Sequence, residues 1–265
     1  MQRSSLNRSW ALIAWAGLAA CSRGAPPPAV DALGNYRPAT LAEAVLFRDR
    51  TAVENFLALG VDPNEPEADG TTPLMRAVQL QRPEIARLLI DAAADVNKAN
   101  YYGVTPLYVA ARAGDADATR MLLAAGADAN VALPAAGESV LMTAAKAGNA
   151  DVVRALLTGG DEDVSLAELG DARAAARVAE AAGYSAQTNP TIRTNYADVN
   201  ARERWYGRTA LMIAAAEGHA DVVDLLIEAG SNVKIVDEEG STAMILARNN
   251  GHLDVAAKLA AAGGA

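Results

Sequence analysis

The sequence predicts an all-α fold, a solenoid of stacked helix-turn-helix units with short hairpin fingers between them. One observation is a repeated marker, a glycine ahead of a helix-start pattern. It recurs at Gly70, Gly103, Gly137, Gly207 and Gly240. The steps are 33, 34, 70 and 33 residues, so one period runs through the chain and one step contains an insert. The second observation is that each period holds two helices too short to bury their own apolar faces, so they must stack on similar neighbours.

Residues 103–130 are the clearest copy of this unit. Thr105 is placed to cap the free amides at the start of a first helix, and Pro106 stands where a missing N–H has no consequence. Gly114 supplies a left-handed stop for that helix, and a second helix follows until Gly126 ends it. Two short antiparallel helices are therefore predicted.

The Thr-Pro-Leu opening of this copy, its central Gly-Asp and its closing Gly-Ala-Asp-x-Asn resemble the ankyrin repeat. The steps of 33 and 34 residues agree with a repeat of about 33 residues in that family. The resemblance extends over about residues 37–265, apart from the insert. It implies an α-helical solenoid that binds other proteins.

The first 20 residues are predicted to be a lipoprotein signal peptide. They contain Arg3 and Arg8 and no acidic residue, and the apolar run from Trp10 to Ala20 is too short to span a bilayer as a helix. The run ends in Leu-Ala-Ala-Cys, which resembles the bacterial lipobox. In that family the cysteine, here Cys21, is acylated through its sulfur and becomes the new N-terminus. An ordinary signal peptide with a cysteine there by chance is the alternative.

The residues after the predicted cleavage point bear on location. Ser22 follows Cys21, and by the sorting rule of lipoproteins a serine there favours the outer membrane over the inner. The predicted location is the bacterial cell envelope, with the protein exported, anchored to the outer membrane and facing the periplasm. Cys21 is the only cysteine in the chain, so a disulfide within one molecule is impossible. Residues 21–36 contain three consecutive prolines and no helical period, which predicts a semi-extended tether.

The predicted ankyrin-repeat domain, residues 37–265, contains intact and modified copies. Their predicted bounds are 38–66, 67–98, 100–130, 134–160 with 197–200, 204–236 and 237–265. The first copy has Ala-Thr-Leu in place of Thr-Pro-Leu, as expected for a terminal repeat whose outer face meets water. In the second copy Gln81 and Ala93 stand where glycine is usual. Because a non-glycine residue in a left-handed cap costs on the order of 1 kcal/mol, we expect this copy to end its helices differently.

An insert of 36 residues, 161–196, interrupts the fourth copy. An alanine-rich helix is predicted over residues 165–182, ended by Gly183 and followed by a polar loop. One interpretation is a decayed repeat, because Gly170 and Gly183 lie about where the two helix stops of a repeat would be. The other is a helical arm that projects from the stack. The sequence slightly favours the arm, because no Thr-Pro-Leu helix precedes Gly170.

Charge and motif content disfavour several functions. Loss of the signal peptide would change the formal net charge from −9 to −11, which disfavours nucleic acid as a partner. The sequence contains no Cys/His metal spacing, nucleophile elbow or phosphate-binding glycine loop. His219 and His252 both follow a repeat glycine, where the ankyrin family usually has a structural histidine. We therefore predict no catalysis, no cofactor, no metal and no small-molecule substrate.

Ankyrin domains bind proteins through their finger tips and the exposed ends of their first helices, and the resemblance implies the same surface here. The predicted partner-binding residues are Tyr101, Tyr102, Val104, Arg112, Lys146, Trp205, Tyr206, Arg208 and Glu217. Two tip pairs are aromatic in a chain with 5% aromatic residues, and tyrosine and tryptophan often anchor interfaces. The alternative is that these rings pack on neighbouring fingers and stabilise the array.

The sequence thus predicts a non-catalytic protein–protein interaction scaffold, lipid-anchored through acylated Cys21, that binds a protein partner with its finger tips and its concave inner-helix face. The alternative function is an inhibitor or stabilising subunit of an envelope enzyme, acting through the 161–196 arm. Arginines beside the second aromatic tip are also placed to pair with acids one repeat later. These are Arg202, Arg204 and Arg208, opposite Asp237, Glu238 and Glu239.

Overall fold

The computed structural model of the chain describes residues 29–30, 36–161, 163–171 and 196–263. The chain divides into two compact units, Met1–Asp62 and Pro63–Ala265. The predicted signal peptide and Cys21 lie outside the described residues, as does most of the predicted tether.

The first unit contains a short ladder and one helix pair. Strand β1 (Ala29–Val30) pairs antiparallel with β2 (Tyr36–Arg37). Helix α1 (Leu41–Leu46) and helix α2 (Arg50–Ala58) follow. The sequence did not predict the ladder, because residues 21–36 indicate a semi-extended tether.

Both helices of the first unit begin at a side-chain cap. The Thr40 hydroxyl oxygen accepts a hydrogen bond from the N–H of Glu43 at 3.2 Å. The Asp49 carboxylate accepts one from the N–H of Ala52 at 2.9 Å. Thr40 therefore performs, in the degenerate first copy, the capping role that the Thr-Pro-Leu threonine has elsewhere. The buried apolar residues of this pair are Leu41, Ala44, Val45 and Val53.

The second unit consists of helix pairs, one in each copy of the repeat. Their bounds are α3 (Pro73–Gln79) and α4 (Pro83–Asp91), α5 (Pro106–Ala113) and α6 (Ala116–Ala124), α7 (Val140–Ala147) and α8 (Ala150–Thr158), α9 (Ala210–Glu217) and α10 (Ala220–Glu228), and α11 (Ala243–Asn249) and α12 (Leu253–Ala261). We name the first helix of each pair the inner helix and the second the outer helix. Each inner helix packs against the next inner helix, and the outer helices do the same from α6 onward. The predicted all-α repeat solenoid is confirmed.

Each inner helix of the second unit starts with a hydroxyl cap. The capping residues are Thr72, Thr105, Ser139, Thr209 and Thr242. The hydroxyl oxygen accepts a hydrogen bond from the backbone N–H three residues later, at 3.2 to 3.4 Å. The caps predicted at Thr105 and Ser139 are therefore confirmed, and each is expected to stabilise its helix by about 1 kcal/mol.

The helix stops of the second copy correct one prediction. Gly114 takes the expected left-handed conformation, with φ at 72°. Gln81 and Ala93 are also left-handed, at φ 54° and 63°, so the expectation that this copy ends its helices differently is wrong. The closing hydrogen bond is kept, because the Arg82 N–H donates to the Ala77 carbonyl at 2.9 Å. That bond and the packing of the next helix outweigh a conformational strain of about 1 kcal/mol.

A row of asparagines in the closing motifs joins neighbouring copies. The Asn97 Oδ1 atom accepts a hydrogen bond from the Asp128 N–H, 31 residues further on, at 2.8 Å. The Asn130 Oδ1 atom accepts the equivalent hydrogen bond from the Asp198 N–H at 2.7 Å, although Asp198 lies 68 residues further along the chain. Residues 197–200 therefore take the place of the closing motif in the fourth copy, and the insert does not shift the register of the row.

The described beginning of the insert packs on the repeats. Residues 166–171 are helical, and Leu166 and Leu169 are buried. A Cβ atom at Gly170 would collide with the carbonyl oxygen of Glu228. This part of the insert therefore does not project as an arm. Gly170 also lies inside a helix, so it is not the left-handed stop that a decayed repeat would need. The remainder of the predicted helix and loop lies outside the described residues.

Candidate partner-binding surface

Two fingers carry the aromatic pairs predicted to bind a partner. We name residues 100–104 the tyrosine finger and residues 203–208 the tryptophan finger. All four rings are exposed. The exposed fractions are 76% for Tyr101, 72% for Tyr102, 66% for Trp205 and 51% for Tyr206. Large apolar rings this exposed are available to a partner.

A groove of about 650 Å³, the first groove, lies between α3 and α5 and the fingers that precede them. Tyr102, Val104 and Arg112, three of the predicted partner-binding residues, all line it. Tyr101 does not line it, although it is the neighbour of Tyr102. Its wall also contains apolar residues that the sequence did not single out. These are Met75, Tyr108 and Val109.

The charged groups of the first groove differ in their pairing. The Arg76 guanidinium donates to both carboxylate oxygens of Glu67, at 3.0 and 2.6 Å, and this contact raises the pKa of Arg76. The backbone N–H of Thr71 donates to the Asp69 carboxylate at 2.9 Å and lowers the pKa of Asp69. The Arg112 side chain makes no ion pair or hydrogen bond with any residue that the structure describes.

A second groove, of about 320 Å³, lies between α7 and α9 and the tryptophan finger. The predicted residues that line it come from two copies of the repeat. They are Lys146, Trp205, Tyr206, Arg208 and Glu217. The structure therefore divides the predicted residues between two neighbouring grooves, with Tyr101 outside both.

Glu203 holds the tryptophan finger in its conformation. Its carboxylate oxygens accept hydrogen bonds from the backbone N–H groups of Trp205 and Tyr206, each at 2.6 Å, and of Arg208 at 3.2 Å. Burial opposes ionisation of this carboxyl. The three N–H donors and the Arg208 charge outweigh that effect and hold the pKa of Glu203 below its ordinary value. An ionised Glu203 thus fixes the backbone that carries both aromatic rings.

Arg208 links the tryptophan finger to the next finger. Its guanidinium lies 4.9 Å from the centroid of the Tyr206 ring, a cation–π contact. The Nε atom is 3.3 Å from the fully buried carboxylate of Asp237, and Glu239 lies 3.7 Å from the same guanidinium. The predicted pairing across fingers is therefore confirmed for Arg208.

The same prediction is wrong for the other two arginines. Arg202 donates to the carbonyl oxygens of Gly207 and Val236, both at 2.8 Å. Arg204 donates to the Pro134 carbonyl at 3.1 Å. Backbone carbonyls replace acidic side chains here, because the fingers approach each other closely enough for the arginines to reach the main chain.

The interpretation that the rings stabilise the array holds for part of the set. A Cβ atom at Gly70 would lie 3.0 Å from the Tyr101 ring, so Tyr101 rests on the preceding finger. Tyr206 lies beneath Arg208. Tyr102 lines the first groove, and Trp205 lines the second groove together with Tyr206. Two rings thus have structural contacts as well as exposure.

The two histidines occupy structural positions. The His219 Nε2 atom lies 3.1 Å from the carbonyl oxygen of Lys146, and its ring packs over Gly148. The His252 ring packs over Gly218 in the same manner, one repeat later. Both rings fill the space above a glycine that ends an inner helix. A side chain there would displace them.

Glu203 is the functional residue that the sequence analysis missed. A signal for it exists, because an Asn or an acid occupies the same place in other fingers. Asn100 accepts from the N–H groups of Tyr102 and Val104, and Asp237 accepts from that of Ser241. An oxygen-bearing residue three or four positions before the repeat glycine therefore marks the residue that holds the finger in these three copies.

Two further properties concern only the described part of the chain. Over that part, no group of three or more His, Cys, Asp or Glu side chains is arranged to hold a metal ion. None of the helices described is both long and apolar enough to cross a membrane.

Comparison with known families identifies the repeat. A family model described as "Ankyrin repeats (3 copies)" matches residues 41–133 and 176–265, and one described as "Ankyrin repeat" matches residues 136–167. The second of the longer matches begins inside the insert. Ankyrin repeats generally mediate protein–protein interaction, and proteins built from them are typically non-enzymatic scaffolds. Because these matches cover more than half of the sequence and agree with the observed helix pairs, the chain belongs to the ankyrin-repeat family.

Proposed function

We propose that this protein is a non-catalytic scaffold, lipid-anchored in the bacterial cell envelope, that binds a protein partner through its finger tips and inner-helix face. The observation that carries the proposal is the exposure of four aromatic rings on two fingers, three of which line grooves beside the inner helices. Tryptophan, tyrosine and arginine are enriched among the hot spots of protein interfaces. A largely exposed ring in the wall of a groove offers a partner apolar area that water otherwise covers.

The anchoring part of the proposal rests on the sequence. The basic start, the apolar run and Leu-Ala-Ala-Cys predict acylation of Cys21 and export to the outer membrane. Acyl chains would fix the molecule at the membrane, and the repeat array would supply a rigid surface for the partner. Confinement of this kind raises the local concentration of a bound partner without any new contact.

A crosslinking pull-down from the native envelope, followed by affinity measurement on the captured protein, tests the binding proposal. We expect Tyr102→Ala with Trp205→Ala to weaken binding by at least about tenfold, because each ring is placed as an interface anchor. Tyr101→Ala is the matched control, since this ring is equally exposed but lines neither groove. Unchanged affinity in the double variant would contradict the proposal, and an equal loss in the control would show that binding does not depend on the grooves.

Mass spectrometry of the mature protein tests the anchor separately. We expect an N-terminal Cys21 that carries acyl chains, and a Cys21→Ser variant that no longer sediments with the outer membrane. Cleavage at another peptide bond, or an unmodified thiol at residue 21, would show that the chain is not a lipoprotein. The binding proposal would remain intact in that case.

A further inference from the structure

We propose that the first groove and the adjoining end of α7 bind an acidic, extended segment of the protein partner, through Arg112 and Lys146. This inference rests on the proposed function, because it assigns a chemistry to part of the same surface. It goes beyond that function by naming the kind of segment bound and the two charges that select it.

The first observation is that Arg112 and Lys146 are equivalent residues with free side-chain charges. Each lies seven residues after the hydroxyl cap of its inner helix, Thr105 or Ser139. The two helices, α5 and α7, pack directly against each other. Both side chains are exposed, and neither forms an ion pair with any residue of the described ranges. Two unneutralised cations therefore lie side by side on the inner-helix face.

The second observation is the contrast with Arg76 on the opposite wall of the first groove. Arg76 is neutralised by Glu67, which lies on the finger of its own copy. The equivalent residue of the tyrosine finger is Asn100, a neutral amide whose oxygen already accepts the N–H groups of Tyr102 and Val104. The residue equivalent to Arg76 in this copy is Val109, so neither member of that ion pair is present here. The Asp69 carboxylate also lines the groove, but it accepts the Thr71 N–H, and Arg112 makes no ion pair with a described residue.

The third observation concerns the charge of the surroundings. The chain has 32 acidic and 23 basic residues, so its net charge is negative, and two neighbouring cations without an ion pair are a local departure from that balance. The second groove, which Lys146 lines, is also lined by Glu217 and by Glu138, whose carboxylate accepts a hydrogen bond from the Thr143 hydroxyl at 3.1 Å. The cationic stretch therefore ends at Lys146. Charge complementarity therefore favours a segment whose acidic residues lie over α5 and α7 and do not extend to α9.

Helix spacing sets the dimensions of the segment. Packed helices lie about 8–10 Å apart, and an extended chain advances about 3.3 Å per residue. Two acidic residues about three positions apart would therefore match the two cations. The apolar wall of the first groove, with Met75 and Val109, can take an apolar or aromatic side chain beside them. The segment we infer is acidic at two points and carries one apolar anchor.

Selection from a displayed library of random dodecapeptides tests this inference on the folded chain. The baits are the wild-type protein, the Arg112→Glu/Lys146→Glu variant and an Arg87→Glu/Arg154→Glu control. The control makes the same charge change on the outer helices α4 and α8, where both arginines are exposed. We expect the wild-type and control pools to be enriched in Asp and Glu and the Arg112→Glu/Lys146→Glu pool to lose that enrichment. The most enriched peptide should bind that variant about tenfold more weakly.

Several outcomes would overturn the inference. One is a wild-type pool no richer in acidic residues than the pool of the charge-reversed variant, or no enriched peptide at all. Another is a wild-type protein that self-associates in sedimentation and becomes monomeric on reversal, because a second copy would then occupy the surface. If the reversed variant does not fold, Arg112→Gln/Lys146→Gln replaces it, with the same expected loss. A lowered melting temperature with unchanged peptide affinity would show that the two cations serve only the helix dipoles.

These outcomes separate the inference from the proposed function. Peptides that compete with the native partner but lack acidic residues would refute the acidic segment and leave the scaffold function standing. Loss of partner binding in the Tyr102→Ala/Trp205→Ala variant would support the scaffold whatever the charge of the selected peptides.

Discussion

The tyrosine finger and the tryptophan finger have similar aromatic tips, and the second is one residue longer, but they differ in their use of charge. In the tyrosine finger a neutral residue, Asn100, holds the turn, and the nearest inner-helix cation, Arg112, is unpaired among the described residues. In the tryptophan finger the charged Glu203 holds the turn, and Arg208 is joined to Asp237 of the next finger.

This difference separates two uses of one scaffold. Charges that are satisfied within the chain make the array rigid, and they contribute little to recognition because they are already neutralised. Charges left unsatisfied beside an apolar groove contribute little to folding and are available to a partner. The tryptophan finger is therefore linked to the next repeat by charged side chains, whereas the tyrosine finger has no such link among the described residues.

The largest expected effect comes from removing Asp237, which pairs with Arg208 of the tryptophan finger. Asp237→Ala removes a buried carboxylate that accepts the N–H groups of Glu239 and Ser241 and pairs with Arg208. We expect a loss of about 2–4 kcal/mol in the free energy of unfolding, measured by urea titration. Asn100→Ala in the tyrosine finger is the matched change and should cost about 1 kcal/mol, because only neutral hydrogen bonds are lost. Equal losses of unfolding free energy in the two variants would show that the charged contact adds no more stability than the neutral one.

A smaller effect is expected from acid. The pKa of Glu203 is held below its ordinary value, so its contribution to stability is complete above about pH 4.5 and is lost as the pH falls through the folded pKa. We expect Glu203→Gln to flatten part of the decline in unfolding free energy on acidification. Asn100→Asp should introduce a similar decline in the tyrosine finger. The measurement is a series of urea titrations from neutral to acidic pH, and coincident acid limbs for Glu203→Gln and wild type would refute the assignment.

The smallest effects concern single rings. Tyr206→Ala removes a cation–π contact with Arg208 and should cost about 0.5–1 kcal/mol of stability. Tyr102→Ala removes a ring that is 72% exposed and should change stability by less than about 0.5 kcal/mol. Thermal melts of the two variants provide the test. A larger loss of stability for Tyr102→Ala than for Tyr206→Ala would show that the tyrosine finger also stabilises the repeat array.

Local chemistry explains why much of the fold could be predicted. The hydroxyl caps, the helix-starting prolines and the left-handed glycines act within a few residues of their position, and they recur at a fixed period. The exposed tips Tyr102 and Trp205 follow from the same repetition, because the family places the same part of every copy in solvent. The predicted structural role of His219 and His252 was found in the same way.

Contacts between copies could not be read from any single copy. The division of the predicted residues into two grooves depends on which helix packs beside which, and Lys146 meets the tryptophan finger only across the insert. Arg208 pairs with a carboxylate, whereas Arg202 and Arg204 donate to main-chain carbonyls. The distance between fingers decides which acceptor each arginine can reach. The docking of Gly170 on Glu228 likewise depends on two segments that are far apart in the chain.

The sequence by itself determined the repeat, the ends of most helices and the parts of each copy that face solvent, because those features arise from short-range sterics and hydrogen bonds repeated along the chain. Only the tertiary structure decided that Gln81 and Ala93 adopt the left-handed conformation. It also decided that the start of the insert packs on the repeats, and which charges remain free. Each of these depends on neighbouring copies whose packing outweighs local preference, or on partners whose proximity the linear order does not encode.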